Sequence, residues 1–481
     1  MRKRTRGAIA AGVGAVVVGT LAVTAGAVTS GGSDPGSTPR AAAKKTVLKE
    51  DFNGDGYNDL VIGAPTADDN PSYITVVYGS AHGLDPATRT VIDAKTPGIP
   101  AVANGVFGSE LVARDLDGDG ITDLAVVVES GEEDALLALW GTKGKGLSGE
   151  GAVTLSHARH IAGGDFNGDG HQDLFTLAYG NEKQAKLLQG PFTRDGKPAQ
   201  EQTVSVADGD SEALSLTAGD LNGDGADDVF VARAMEESSR PGAVFLGGPK
   251  GLTKQSDEGP EALPATMGDF NGDGRADLAW REAPGGIIEG PWTDSGTVKV
   301  RYGTASGLGS RTDTFTQATP GVPGANEEGD VFGASLTAGD TDGDGRDELA
   351  VGVPGEAVGT KKQAGSVVLL KGSDKGLTGT GAVAFSQDSP GVPGVAEAGD
   401  MFGAGVRLLD TDGNGHADLA ASAPGENDRH GAVWSVPTGN PAHGGVTSFA
   451  AAGVGAPAYS ARFGDVFGGS TPSPFWGLDE S

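Results

Sequence analysis

Seven short acidic stretches carry most of the chemistry that this sequence can support. The first is Asp51-Phe52-Asn53-Gly54-Asp55-Gly56-Tyr57-Asn58-Asp59-Leu60, and six more begin at Asp115, Asp165, Asp220, Asp269, Asp340 and Asp410. Oxygen-bearing side chains occupy positions 1, 3, 5 and 9 of every copy. In chain order they are Asp51, Asn53, Asp55 and Asp59; Asp115, Asp117, Asp119 and Asp123; Asp165, Asn167, Asp169 and Asp173; Asp220, Asn222, Asp224 and Asp228; Asp269, Asn271, Asp273 and Asp277; Asp340, Asp342, Asp344 and Glu348; Asp410, Asp412, Asn414 and Asp418. Gly stands at position 6 throughout. Three or four carboxylates within nine residues repel one another unless a cation lies between them. Oxygen donors at alternate positions, with a Gly that permits a sharp turn, suit a hard cation such as Ca²⁺, and the carbonyl of position 7 would complete the shell. Up to seven Ca²⁺ are expected. Without an ion the same stretches would be Asp-Gly turns, a common hairpin element; seven copies of one acidic spacing favour metal. Glu348 at position 9 and Asn414 at position 5 should make the sixth and seventh sites weaker.

The elements that follow are strands. A helix–loop–helix calcium site needs Glu at loop position 12; here that position holds Ile62, Val126, Thr176, Val231, Trp280, Val351 and Ala421. Short β-branched runs surround these residues and read as buried strands. Successive loops start 64, 50, 55, 49, 71 and 70 residues apart, enough for about four short strands each. In the first repeat the strands are expected at Leu60–Ala64, Tyr73–Tyr78, Arg89–Ile92 and Ser109–Arg114. A hairpin signature recurs after most loops, from YGSAHGL at Tyr78 to KGSDKGL at Lys371, with its Leu expected to tuck back on the sheet. Almost no helix is expected.

Composition narrows the class. The chain has 481 residues, 83 Gly, no Cys and a formal net charge of −30. Much of the acidity lies in the loops. An acidic chain without a basic patch argues against nucleic acid as a partner. Residues 1–27 read as an export signal: a basic start at Arg2, Lys3, Arg4 and Arg6, an apolar run from Ala8 to Val23, and a small-residue cleavage site at Ala25-Gly26-Ala27. The same run would serve as a retained anchor if uncleaved; no other segment reads as a membrane span. Residues 28–46 read as a flexible linker and 471–481 as a C-terminal tail. A secreted or surface location follows, where extracellular calcium could supply the stability that disulfides cannot.

A third signature, Phe-Gly, precedes some loops: Phe107-Gly108, Phe332-Gly333 and Phe402-Gly403. Its last copy, Phe467-Gly468, has no loop after it, and the first loop has no Phe-Gly before it. The two ends are complementary halves of one repeat, so the C-terminal strand should complete the N-terminal sheet and close a ring, removing an open edge. Phe-Gly, acidic loop, then Gly63-Ala64-Pro65 resembles the FG-GAP repeat of the integrin α-subunit N-terminal propeller. Gly352-Val353-Pro354 and Ala423-Pro424 are near matches to the last element. The resemblance covers residues 47–470 and implies an all-β, seven-bladed β-propeller whose blade loops hold Ca²⁺ through positions 1, 3, 5 and 9. Neither the leg domains nor the membrane helix of an integrin is read in these residues, so a heterodimeric receptor is not the expected function.

Other chemistry is not evident. There is no HExxH and no GxSxG. Gly144–Gly149 matches GxGxxG but opens no helix. His157 and His160 read as a strand and turn pair. A glycosidase carboxylate pair could lie among the abundant acids but nothing marks one. Trp140, Trp280, Trp292, Trp434 and Trp476 could stack on sugars or pack in the core. The Pro/Gly-rich loops Pro320–Asp330, Pro390–Asp400 and Thr96–Val106 could be a partner surface or plain connectors. The expected function is a non-enzymatic binding or adhesion module for an extracellular protein or glycan partner. The alternatives are a propeller hydrolase or lyase acting on polysaccharide or phospholipid, which would need an acid/base pair in a cleft away from the loops, and a lectin with pockets between blades.

Overall fold

The second strand of each repeat explains the architecture. Leu60–Ala64 is buried along its whole length, and so is Ala135–Leu139, the third strand of the next repeat. A strand buried on both faces needs a sheet neighbour on each edge and a packed layer on each side. The computed structural model describes residues 49–469 apart from 66–71, 103–104, 132–133, 179, 181–182, 208–210, 284–285, 287–291 and 440–444. Among the described residues the strands form seven four-stranded antiparallel sheets. Inner strands of successive sheets stand side by side around an axis, and the chain is a seven-bladed propeller. The expected export signal, linker and tail, with Trp476, lie outside the described residues.

Ring closure follows the expected pairing. Val466–Phe467 is the inner strand of the first blade, with Ile62 opposite Phe467 and Gly63 opposite Val466. Phe467 is fully buried, as are Phe107, Phe332 and Phe402. The core consists of apolar layers between neighbouring blades. One layer joins Val61, Ile74 and Val76 of the first blade to Leu124, Val126 and Leu137 of the second; another joins Leu60, Ile62 and Phe467 to Ala420 and Val433 of the last. All seven position-12 residues are buried, which is why no ligand is found there. Outer strands such as Gln200–Ser205 are mostly exposed.

Strand boundaries shift by a few residues. The inner strand of the second blade begins at Val106, so it contains its Phe-Gly, and a bulge lies between Phe107 and Leu111. In the sixth and seventh blades the inner strands begin later, at Leu336 and Val406. Helical elements among the described residues include the four-residue turns Glu426–Arg429 and Ala451–Val454. Trp140, Trp280, Trp292 and Trp434 are all buried. Their packing role is the one observed, and sugar stacking on them would need their exposure. Of the five signature leucines, Leu84, Leu147, Leu252 and Leu377 are buried as expected, while Leu308 is only partly buried.

Candidate metal centres

Each acidic loop is wound by its own first residue. In the first loop Asp51 Oδ1 accepts the Gly54 N–H at 2.6 Å, and Oδ2 accepts the Gly56 N–H at 2.8 Å. The wrap requires left-handed backbone at Gly54 (φ +68°) and Gly56 (φ +100°), which Gly adopts without a Cβ clash. Asn53 Oδ1 and Asp55 Oδ1 each accept an N–H two residues on, at 2.9 and 3.0 Å. Position 9 is the anchor. Asp59 is fully buried; its Oδ2 accepts the Phe52 N–H at 2.8 Å and its Oδ1 the Gly79 N–H at 2.9 Å. Asp123 repeats this with Leu116 and Gly141, at 2.9 and 2.8 Å. Asp173, Asp228 and Asp277 do the same with Gly190, Gly247 and Gly303.

The hairpin Gly is thereby explained. At Gly141 an added Cβ would collide with the Thr122 carbonyl, and at Gly79 with that of Asn58. The backbone must come this close for its N–H to reach the buried carboxylate.

Burial first, and neighbouring loop carboxylates second, push the position-9 acids up against the pull of their backbone donors. Asp59 is raised to about 8; Asp123, Asp173, Asp228 and Asp277 to about 7; Asp418 to about 6. Glu348 is also raised. A carboxyl group in this setting either keeps a proton or shares a cation. In three loops, three carboxylates bring oxygens within 4.8 Å of one another: Asp115, Asp117 and Asp123; Asp340, Asp342 and Asp344; Asp410, Asp412 and Asp418. The sixth and seventh loops, expected to be weaker, are two of these three. In the first, third, fourth and fifth loops position 3 is Asn, so one donor is an amide oxygen. Such all-oxygen clusters could chelate a hard metal ion. Basic side chains offset part of the charge: Arg194 reaches Asp117 and Asp119 at 2.5 and 2.8 Å, and Lys371 reaches Asp342 at 2.9 Å.

Position 8 was not singled out by the sequence reading, yet it joins one loop to the next. Asn58 Nδ2 donates to the Asp410 carbonyl at 2.9 Å, so the first loop is tied to the last. Thr122 Oγ1 accepts the Asp51 N–H at 3.1 Å. Asp347 Oδ2 accepts the Asp269 N–H at 2.8 Å. Where position 8 is Ala, its backbone makes the tie: Ala276 N–H to the Asp220 carbonyl and Ala417 N–H to that of Asp340, both at 2.7 Å. A polar or small residue at each position 8 was the available signal.

On the propeller axis lies a cavity of about 580 Å³, lined by the inner strands and including Lys49, Glu110, Arg114, Asp340 and Arg407. Glu110 is buried there. Its Oε1 lies 2.7 Å from His160 Nδ1, and its Oε2 accepts the Ile161 N–H at 2.8 Å. Burial alone would lower the imidazole; the Glu110 charge and hydrogen bond outweigh it and raise the ring. The expected strand placement of His160 is observed, but a Glu distant in sequence is its partner. His157 instead sets Nδ1 2.9 Å from the Asp134 carbonyl.

Comparison with known proteins agrees with the blade repeats. The FG-GAP repeat family matches residues 46–78, 265–300, 332–370 and 402–436, and the FG-GAP-like repeat family matches 115–176, 165–231 and 220–280. Phosphatidylinositol-glycan-specific phospholipase D of Homo sapiens is 30% identical over 191 residues, 33% of this chain and 22% of that protein. Integrin alpha-PS5 of Drosophila melanogaster is 43% identical over 79 residues, 16% of this chain and 8% of that protein. Integrin alpha pat-2 of Caenorhabditis elegans is 28% identical over 199 residues, 33% and 16% of the two chains. The match thus takes in less than a quarter of each relative. The phospholipases correct one expectation: a flat assignment as non-enzymatic does not stand when relatives of this chain are named as enzymes. Repeats, ring closure and relatives lead to one assignment: the chain belongs to the FG-GAP repeat proteins, as a seven-bladed β-propeller related to integrin α N-terminal domains.

Proposed function

We propose that this chain is an extracellular, calcium-loaded propeller that works in the hydrolysis of phospholipid-linked glycan or polysaccharide. The observation that carries the reading is the Glu110–His160 pair beside the axial cavity, whose wall also includes Asp340 and Asp410 of the acidic loops. Glu110 holds His160 by Nδ1, which fixes the ring and leaves Nε2 as the nitrogen able to exchange a proton. Arg114, on the same cavity wall, supplies positive charge for a phosphate or carboxylate group, while Arg407 there is paired with the buried Glu50. The phospholipase relatives support the substrate class. In this reading Ca²⁺ sits in the seven loops through the residues at positions 1, 3, 5 and 9 and stiffens the scaffold; it takes no part in the proton transfer.

The test is turnover of glycan-linked phosphatidylinositol and of a polysaccharide panel by the full chain in calcium. His160→Ala should abolish release of product, and Glu110→Gln should lower kcat and shift the acid limb of the pH profile. Equal turnover by the parent and His160→Ala, in folded protein, would remove the pair from the mechanism.

A second reading is an adhesion module, which the integrin α relatives favour. Its partner would be an extracellular protein or glycan, held by connector loops such as Pro320–Asp330. Calcium-dependent retention on a glycan or matrix-protein array by the His160→Ala protein, with no turnover by the parent, would support it over the first.

A further inference from the structure

Five of the seven acidic loops carry a single carboxylate between positions 3 and 5, and in each a side chain of the same loop donates to it. In the first, third and fourth loops the donor is the position-3 amide: Asn53 to Asp55 Oδ2 at 3.0 Å, Asn167 to Asp169 Oδ2 at 2.9 Å and Asn222 to Asp224 Oδ2 at 3.2 Å. The seventh loop reverses the pair, with Asn414 donating to Asp412 Oδ2 at 3.0 Å. In the fifth, Arg275 at position 7 reaches Asp273 Oδ2 at 3.1 Å.

The second and sixth loops have Asp at both positions, and in each a basic side chain from outside the loop reaches position 3. Arg194 Nε donates to Asp117 Oδ2 at 2.5 Å, and its Nη2 to Asp119 Oδ2 at 2.8 Å. Lys371 Nζ donates to Asp342 Oδ2 at 2.9 Å and lies 3.8 Å from Glu348 Oε1. The two bases have different origins. Arg194 sits on a turn of the third blade, whereas Lys371 ends the strand Ser366–Lys371 of the sixth. What they share is a loop with one more carboxylate than the others.

Arg194 holds the oxygens that an ion would need. The Oδ1 atoms of Asp117 and Asp119 accept backbone N–H groups, from Asp119 at 3.2 Å and from Ile121 at 2.9 Å. That leaves the two Oδ2 atoms, and the guanidinium fork takes both. Asp117 is also one of the three residues, with Asp115 and Asp123, whose oxygens converge within 4.8 Å. The arginine is not locked in place, since its side chain is 49% exposed. Beneath it, the Phe192 N–H holds the Leu116 carbonyl at 2.7 Å, and the Thr193 N–H closes the turn on the Lys197 carbonyl at 2.9 Å. The side chain can therefore withdraw while the blades stay joined.

A fourth carboxylate strengthens the pull on a cation and, without one, strengthens the repulsion within the loop. A tethered base offsets both. We propose that Arg194 and Lys371 are tethered counter-cations: each occupies carboxylate oxygens that the ion requires and gives them up when the ion binds. The inference rests on calcium occupying the acidic loops, as in the reading above. It makes the second and sixth sites weaker than four carboxylates alone would make them. It also makes Arg194 a contact between blades that calcium releases.

Trp140 gives the second loop its own signal. It precedes Gly141, whose N–H lies on Asp123 Oδ1 at 2.8 Å, and no other loop has Trp at that place. Terbium, a hard-ion probe of oxygen sites, is titrated into the full chain and its luminescence excited through tryptophan. The part lost in Trp140→Phe belongs to the second loop. Arg194→Ala should tighten that component about two- to fivefold, the range for an exposed ion pair broken on binding. In the Asp117→Asn background, which restores the amide pattern of the first loop, the same change should have a smaller effect. Melting supplies a readout that a merely structural ion pair would not move: Arg194→Ala and Lys371→Ala should each lower the melting temperature in EGTA and leave it unchanged in calcium. Terbium affinity that is unchanged or weaker in folded Arg194→Ala, or an equal melting loss in EGTA and calcium, overturns the proposal. No second-loop signal from either the parent or Arg194→Ala would overturn the calcium reading itself, and the inference with it.

Discussion

Asp227 and Asp165 clasp each other across neighbouring blades: Asp165 donates its N–H to Asp227 Oδ2 at 2.9 Å, and Asp227 returns its N–H to the Asp165 carbonyl at 2.8 Å. The bond ties the first residue of the third loop to position 8 of the fourth. The same relation, with other residues at position 8, links loops around the ring. Removing the Asp227 carboxylate leaves the Asp165 N–H without its acceptor. Asp227→Ala should therefore cost about 1–3 kcal/mol in urea denaturation, while Asp227→Asn, which keeps an oxygen acceptor, should cost less than half as much. Equal losses would show that the clasp is not the source of the stability.

Chelation should invert the pH dependence of stability. Asp59, raised to about 8 in the fold, has an unfolded value of about 3.9. The folded state without metal thus holds a proton that the unfolded chain has released. Its stabilising contribution is complete below about pH 4 and is lost as pH rises through about 8. Asp123, Asp173, Asp228 and Asp277, raised to about 7, act the same way. In EGTA the melting temperature should fall between pH 5 and pH 8. In calcium it should hold or rise, because an ion needs the carboxylates deprotonated. A melting temperature in EGTA that rises over this range would contradict the assignment of buried protonated anchors.

The hairpin glycines should tolerate no side chain. Gly141→Ala places its methyl against the Thr122 carbonyl and should cost about 3 kcal/mol, at the upper end of ordinary overpacking. Gly453→Ala, where an added Cβ meets nothing within 4 Å, is the control and should be nearly neutral. Thermal melts of the two variants side by side make the comparison.

The ring should open as a unit. Phe467 is fully buried and pairs with Ile62, so Phe467→Ala should lose about 3–5 kcal/mol. Truncation after Ser460 removes the strand and exposes the edge of Leu60–Ala64; that protein should aggregate on size-exclusion chromatography. A truncated chain that melts like the full one would refute closure by this strand.

The strand content and ring closure were legible because both rest on periodic signals. Position 12 of every loop is a buried strand residue, and the unmatched Phe467-Gly468 and Asp51 ends demanded each other. The acidic turns were legible because Asp51 to Asp59 and their equivalents hydrogen-bond within one short loop. Contacts that join distant segments left no such mark. Glu110 and His160 lie fifty residues apart, so adjacent inner strands had to form before the pair existed. The position-8 ties varied between Asn58, Thr122, Asp227, Asp347 and a bare Ala backbone, so the polar or small character shared at position 8 did not name their partners.

Local order along the chain determined that acidic turns feed buried strands, and that two half-repeats must meet. Circular packing alone decided which carboxylates lose water and which imidazole faces a carboxylate. The physical reason is range: turn geometry and alternation are settled within a few residues, whereas burial and electrostatics depend on what the ring brings in from the neighbouring blade.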